Sequence, residues 1–319
     1  MLHFIVSNQT NPYWNVAVEN YLVEREAADA VVMYLWKNRR TVVVGMNQNP
    51  YAECDVAMLQ ADGGYVMRRT TGGGAVYHDD GNLNFSFVAP YELYDQAKQF
   101  EVIRRALLPY GLASELSGRN DLLCCGRKFS GNAFSKGRHH RLHHGTLLIK
   151  GNMDDLSRYL HVNPAKMQKH GVSSVQSRVV NLSELADITS ENIVPHLLSA
   201  FEEVYGERAV TLDFDRLMIE PAVVDLYKKY SSDEWLYGRW RNFKAQRSAQ
   251  FDWGHVELEL DVDEEKGLIT GAAVATDALD VGLAERIEAL LCGASTKQPP
   301  RVGEGADAGM IMDVLKMVY

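Results

Sequence analysis

Two segments concentrate side chains able to handle a phosphate or a carboxylate. The first, Arg68-Arg69-Thr70-Thr71-Gly72-Gly73-Gly74-Ala75-Val76-Tyr77-His78-Asp79, follows the strand-like Tyr65-Val66-Met67. Three consecutive glycines carry no Cβ and reach positive φ, so their N–H groups can approach an anion closely. The arginine pair adds planar donors suited to phosphate or carboxylate. The loop is neither a Walker A motif nor a GxGxxG opening a helix, and a tight turn between strands is the plainer alternative. The second segment is Gly118-Arg119-Asn120-Asp121, then Gly126-Arg127-Lys128-Phe129-Ser130-Gly131-Asn132-Ala133. A lysine on a short strand between glycines can aim its ammonium at a bound anion. An ordinary solvent-facing lysine is the competing reading.

Two further segments are suggestive. Arg138 to Ile149 holds His139, His140, His143 and His144. No Cys or carboxylate beside them completes a zinc site, and neighbouring histidines on a strand face opposite ways, so no zinc is expected. The segment reads as a strand entering the core with functional side chains at its start. Gly171 to Leu182 is small, polar and β-branched. It reads either as a plain connector or as a loop that orders over a ligand.

These residues need elements to hold them. Ala30–Trp36 and Thr41–Val44 are β-branched and apolar, and Lys37 to Arg40 between them suits a hairpin turn. Asn82–Val88 alternates polar and apolar, as a strand with one buried face should. Asn11-Pro12 opens a helix running to about Arg25. Phe100, Ile103, Leu107 and Tyr110 share one helical face, with Asp95 to cap and Gly111 to end it. A further helix covers Ile193 to Tyr205 and stops at Gly206.

Near Arg247 the character changes. Phe251 to Leu260 reads as one strand, 261–267 as an acidic turn, and Leu268 to Ala275 as a second strand. Helices over Asp280–Leu291 and Asp307–Val318 flank a Gly- and Pro-rich stretch. The mixture predicts an α+β fold, with a large domain over 1–245 and a small C-terminal one over 246–319.

Composition narrows the class. Of 319 residues, 46% are apolar and 24% charged, as in a globular protein with a sizeable core. The formal charge of −9 argues against a general nucleic-acid binder, whose affinity rests on neutralising phosphates. Six basic and fourteen acidic residues fall within 246–319, so −8 of that charge belongs to the C-terminal region. By contrast, Gly118–Gly145 carries six Lys or Arg and four His against one acid, Asp121. Cys54, Cys124, Cys125 and Cys292 are too sparse for a disulfide framework and read as reduced thiols. With no basic-apolar leader and no apolar run near 20 residues, a cytoplasmic protein without a membrane partner is expected.

The four segments, in this order, resemble the lipoate–protein ligase A family within the biotin/lipoate ligase superfamily. The resemblance runs over about residues 3–290. It includes Asn11-Pro12-Tyr13-Trp14-Asn15, Gln48-Asn49-Pro50, Arg68 to Asn82, Ser117 to Leu122, Lys128 to Ala133, His143 to Leu148 and Gly171 to Leu182. It departs at Thr70-Thr71, where serines are usual, at the short Cys124-Cys125 stretch, and in a shortened, glycine-rich C-terminal region. The resemblance implies a mixed-sheet catalytic domain with a small accessory domain. It also implies two steps: ATP and Mg2+ convert lipoate to lipoyl-AMP, then a lysine of an apo lipoyl domain takes the lipoyl group. The acceptors implied are E2 subunits of 2-oxoacid dehydrogenases and the glycine-cleavage H protein.

The residue roles it implies are specific. Lys128 and Arg69 are catalytic, acting as charges rather than nucleophiles. Arg69, Gly74, Ala75, Val76, Tyr77, Asn82, Asn120, Asp121 and Lys128 bind the nucleotide. Gly73, Gly74, Lys128, His144 and Gly145 bind lipoate. Ser177, Arg178, Val179 and Asn181 cover the adenylate, and Asp121 is the metal ligand. No bound redox cofactor is implied. Two other readings compete. One is an octanoyl or lipoyl transferase of the same superfamily, with Cys124 or Cys125 as nucleophile. The other is a non-catalytic lipoate or nucleotide binder, which would bind without turnover.

Overall fold

The computed structural model describes residues 1–319 except 26–28, 119, 162–178, 239–244 and 264–265. Fourteen strands lie among the described residues: β1 (Leu2–Val6), β2 (Val31–Lys37), β3 (Thr41–Val44), β4 (Tyr65–Arg68), β5 (Val76–His78), β6 (Asn82–Pro90), β7 (Ser114–Ser117), β8 (Asp121–Cys124), β9 (Arg127–Lys136), β10 (His140–Leu148), β11 (Ala209–Thr211), β12 (Ala245–Phe251), β13 (Gly254–Asp263) and β14 (Leu268–Thr276). Eight of them form one sheet in the order β11-β1-β2-β6-β10-β9-β8-β7. β1 pairs in parallel with β2 and β11, and the remaining pairs are antiparallel. Beside it stands a small sheet, β4-β3-β5. The fold is α+β, as its sequence pattern predicts.

Helix ends follow local chemistry. Asn11 Oδ1 accepts from the Tyr13 N–H at 2.9 Å, and Pro12 occupies the first turn of the helix Pro12–Glu24. Asp95 Oδ1 accepts from the Lys98 N–H at 3.0 Å and starts Gln96–Leu107. Gly111 and Gly206 close their helical segments at φ +72°, a conformation a Cβ would strain.

The large sheet is covered on both faces. Leu83, Phe85 and Phe87 pack with the helices Gln96–Leu107 and Ile193–Tyr205, while Val32, Tyr34 and Val88 pack with Pro12–Glu24 and Pro221–Tyr230. Each large apolar side chain fully buried this way is worth about 1.5–3 kcal/mol. β6 is therefore buried along both faces, with only Pro90 half-exposed, and not along one. Its polar residues Asn84 and Ser86, read from sequence as solvent-facing, point inward and are hydrogen-bonded.

Lys37 to Arg40 is not a hairpin. Lys37 pairs with Leu83 in the large sheet, whereas Thr41 pairs with Tyr65 and His78 in the small one. The four residues carry the chain between sheets, with Asn38 wholly buried and Arg40 at φ 38°.

The C-terminal region holds three strands where the sequence suggested two, because Asp252-Trp253 turns β12 back onto β13. The acidic run begins within β13 rather than after it. Leu258, Val274, Leu283, Ile287 and Val314 form its own apolar cluster. It touches the rest of the chain at the glycine loop: the Gly73 N–H donates to Ala278 O at 3.2 Å, and Asn47 Nδ2 to Val281 O at 2.8 Å. No helix among the described residues is long and apolar enough to cross a membrane.

Candidate active site

Between the two sheets lies a cavity of about 260 Å³. Lys128, Gly131, Asn132 and Ala133 of β9 form one wall, His144, Gly145 and Thr146 of β10 another. Val43, Met67 and Val76 of the small sheet face them, and Trp36 and Glu19 complete the lining.

Lys128 reaches the cavity because of a β-bulge. Leu122 pairs with Ser130 and Leu123 with Lys128, so Phe129 is an extra residue in β9. Strict alternation would put Lys128 and Gly131, three apart, on opposite faces. The bulge brings both to the cavity and sends Phe129 into the core, 1% exposed. Lys128 Nζ sits 2.7 Å from Asp121 Oδ1, and both side chains are about a third exposed, which places them at the mouth. A Cβ on Gly131 would come 3.1 Å from that Nζ, so the glycine leaves room for the ammonium. Asn120 faces the same wall, its Nδ2 donating to Asn132 O at 2.6 Å.

The arginines serve the loops. Arg68, 2% exposed, donates to Gly45 O, Met46 O and Gln48 O, and to Trp235 O and Leu236 O. It is a clamp on two chain segments rather than an anion donor. Arg69, 7% exposed, lines the cavity, but its guanidinium donates to Val43 O, Gly72 O and Gly74 O and to Thr71 Oγ1. Burial draws its pKa down to about 10, against the pull of Glu19 and Glu53. Gly73 adopts φ +94°, with its N–H taken by Ala278 O.

Two chains of hydrogen bonds run along the buried end of the cavity. Arg69 Nε–H donates to Thr71 Oγ1 at 3.1 Å, Thr71 Oγ1 meets His144 Nε2 at 2.8 Å, and His144 Nδ1 meets Glu19 Oε1 at 2.8 Å. Trp36 Nε1–H donates to Ser86 Oγ at 2.9 Å, and Ser86 donates to Glu19 Oε1 at 2.5 Å. His78 lies beside them with its pKa drawn down to about 3 by burial, and further by Arg69 and His144. His143 points to the opposite face of β10, as strand geometry requires. It packs against Phe87, Phe100 and Phe134, and burial likewise holds its pKa near 3.

Of the residues expected to act, Arg69, Gly73, Gly74, Ala75, Val76, Asn120, Lys128, His144 and Gly145 line the cavity. Asp121 joins them through Lys128. Tyr77 turns to the other side of β5, against Tyr159 and Asp155, where burial pushes its phenol upward. Asn82 is buried behind the wall, bonded to Asn84. Ser177 and Arg178 lie outside the described residues. Val179 bridges to Lys128, the Val180 N–H donates to Lys128 O at 2.9 Å, and Asn181 bonds both backbone groups of Gly151. Among the described residues no group of three His, Cys, Asp or Glu could hold a metal ion.

Sequence reasoning missed Glu19, Trp36, Val43, Met67, Asn84 and Thr146, and passed over His78 within its own motif. A signal existed for one of them. Glu19 is the lone charge between Pro12 and Val23, on the face that buries Asn15, Val16 and Val23.

Residues 11–202 match the family model described as lipoyl protein ligase A/B catalytic domain, and 241–299 match that of the bacterial lipoate protein ligase C-terminus. A lipoate-protein ligase A of Psychrobacter cryohalolentis is 36% identical over 295 residues, 90% of this chain and 86% of its own. P. falciparum LipL1 in complex with lipoate superposes with a TM-score of 0.83 at 27% identity, covering 99% of this chain and 98% of its own. A lipoate-protein ligase A bound with ATP gives a TM-score of 0.61 at 26% identity, covering 73% and 96%.

Proposed function

The chain belongs to the lipoate–protein ligase A family, and from that premise we propose that it activates free lipoate with ATP to lipoyl-AMP. It then passes the lipoyl group to a lysine of apo lipoyl domains, on E2 subunits and the glycine-cleavage H protein. The observation that carries this reading is the Lys128 ammonium, half-exposed at a cavity whose open lining is largely apolar and whose other cation, Arg69, is turned to backbone carbonyls. That arrangement suits an acid with an aliphatic tail, whose carboxylate stays outermost.

In the first step a carboxylate oxygen attacks the α-phosphorus and pyrophosphate leaves. Both reactants are anions, so the Lys128 ammonium offsets their repulsion and the charge growing at phosphorus. Asp121 holds that ammonium in place. Fixing the acid along the cavity adds positioning, worth up to about 7–11 kcal/mol in favourable cases. Arg69 contributes by shaping the Gly72–Gly74 backbone. In the second step an acceptor amine attacks the anhydride carbonyl, AMP leaves, and the amine proton goes to solvent. Val179 and Val180 anchor the end of the 171–182 loop to Lys128, which supports that loop as a cover for the adenylate.

A protein-built Mg2+ cage does not fit these residues. Asp121, the expected ligand, is ion-paired, and no three-ligand group occurs among the described residues. Mg2+ accompanying ATP commonly keeps water and phosphate oxygens, and no step here runs through it. We further propose that residues 246–319 act as an accessory domain pressed on the glycine loop.

The transferase alternative needs a reactive thiol. Cys124 is 1% exposed, points at Ala113 O, and burial pushes its pKa up to about 11, the reverse of nucleophile activation. The test combines lipoate-dependent exchange of labelled pyrophosphate into ATP with mass spectrometry of an apo lipoyl domain, omitting each component in turn. Exchange, a lipoyl mass gain, and loss of both in Lys128→Ala are expected, with a fall of at least about 100-fold. No exchange, together with acyl transfer abolished by Cys124→Ser or Cys125→Ser, would overturn the ligase reading.

A further inference from the structure

The catalytic steps leave Arg68 and the Gln48-Asn49-Pro50 segment without a role, yet the two meet at one turn. Residues 45–48 lie against the glycine loop. The Met46 N–H donates to Thr71 O at 2.9 Å, and a Cβ on Gly45 would stand 2.2 Å from Gly73 O. Gly73 and Gly74 line the cavity, so the turn backs one of its walls. Gln48, 2% exposed, closes the turn, its Oε1 accepting from the Gly45 N–H at 2.9 Å.

Arg68 holds that turn. Its Nη1 donates to Gly45 O and Met46 O at 3.0 Å and to Gln48 O at 2.7 Å. Its Nε and Nη2 donate to Trp235 O at 3.1 Å and Leu236 O at 2.7 Å, and Trp235 Nε1 returns a hydrogen bond to Arg68 O at 3.1 Å. Trp235 and Leu236 belong to the helix Asp233–Tyr237, which precedes the C-terminal strand β12 in the chain. The turn also touches the C-terminal region directly: the Thr276 N–H donates to Asn47 O at 3.0 Å, and Asn47 Nδ2 to Val281 O at 2.8 Å. One buried guanidinium therefore joins the turn behind the glycine loop to the helix before the C-terminal region and, through Asn47, to that region itself. A planar fork with five N–H groups reaches these carbonyls at once; a lysine ammonium keeps the charge but has three donors.

Resting on the ligase reading, we propose that Arg68 is a positioning residue for adenylation: it locks the 45–48 turn behind the glycine loop and ties the shape in which that loop meets ATP to the seating of the C-terminal region on Asn47. Arg68 does not line the cavity and acts only through the turn. A loop already fixed in shape meets the phosphates without reorganising. Loosening it falls on the nucleotide and on kcat more than on the acid, which also rests on Lys128 and the walls formed by β9 and β10.

The test uses the full-length protein with Arg68→Lys, Asn47→Ala and both together. Pyrophosphate exchange is measured with ATP and lipoate varied separately, lipoate Kd by calorimetry, and amide hydrogen exchange by mass spectrometry over 70–76, 276–282 and, as a core reference, 83–88. Arg68→Lys should raise KM for ATP and lower kcat, each about tenfold, while lipoate Kd stays within about twofold. Amide exchange should quicken in 70–76 and 276–282 and not in 83–88. Asn47→Ala should give the same pattern more weakly, and the double variant should be no worse than Arg68→Lys, because both cut one chain of contacts. If Arg68→Lys does not fold, Trp235→Phe, which removes a single N–H from the clamp, takes its place. If ATP and lipoate binding weaken together, if 83–88 exchanges faster along with the loop, or if nothing changes, while wild type turns lipoate over, the positioning role is wrong and the ligase reading stands. If wild type shows no turnover yet exchange quickens in 70–76 and 276–282 alone, the ligase reading fails and the coupling survives. If neither turnover nor that pattern is seen, both fall.

Discussion

Single side chains show how far a sequence can carry chemistry. Lys128 and the glycine triplet were legible because their residue types are unusual at that spacing. Glu19 and His78 were not, since their meaning depends on being buried beside groups forty or more positions away. The arginines show the converse: two charges beside a glycine loop read as anion donors, yet their hydrogen bonds go to backbone carbonyls. His78 and His143, each with its pKa lowered from 6.5 to about 3, also set a pH dependence. Folded, they stay neutral; unfolded, they take up protons below pH 6.5. Their contribution is present above pH 6.5 and is lost as pH falls from there towards 3. Well inside that window each costs about 1.4 kcal/mol per pH unit. Urea midpoints should therefore be flat from pH 8 to 7 and fall from pH 6.5 to 5, above the carboxylate range. His143→Gln should roughly halve that fall, leaving the part due to His78.

Strands and helices were legible where local chemistry sets them. Asn11, Asp95, Gly111 and Gly206 mark their helix ends as expected. Which strands pair was not legible, because pairing is settled by distant residues. The Lys37–Arg40 turn changes sheets, and β11 is only three residues long. The bulge at Phe129 leaves no trace in composition, although it decides where Lys128 points. Two glycines facing the cavity from neighbouring strands separate these effects. In Gly131→Ala the new Cβ meets only the flexible end of Lys128, at 3.1–3.2 Å. Activity should fall severalfold, with stability within about 0.5 kcal/mol of wild type. In Gly145→Ala the Cβ would meet Asn132 Oδ1 at 2.4 Å and the Phe85 ring at 2.6 Å, both packed in place. That variant should lose about 1–3 kcal/mol of stability. Exchange kinetics and urea titrations of the pair check both outcomes.

At the scale of the whole molecule, the C-terminal cluster has its own core yet leans on the glycine loop. A Cβ on Gly72 would lie 2.2 Å from Ala278 O, and that carbonyl belongs to a backbone that cannot yield without leaving the loop. Gly72→Ala should separate the contact while both cores persist. Calorimetry should then resolve two unfolding transitions where wild type gives more overlapped ones; a single unchanged transition would count against the contact. One pairing has a consequence for how the chain is made. β1 finds one of its two neighbours in β11, 207 positions later. That edge of the large sheet therefore stays open, with parallel hydrogen-bonding groups exposed, until the 207 residues that follow it have been made. Contacts this distant in sequence form slowly, so the β1–β11 pairing should follow formation of the locally capped helices.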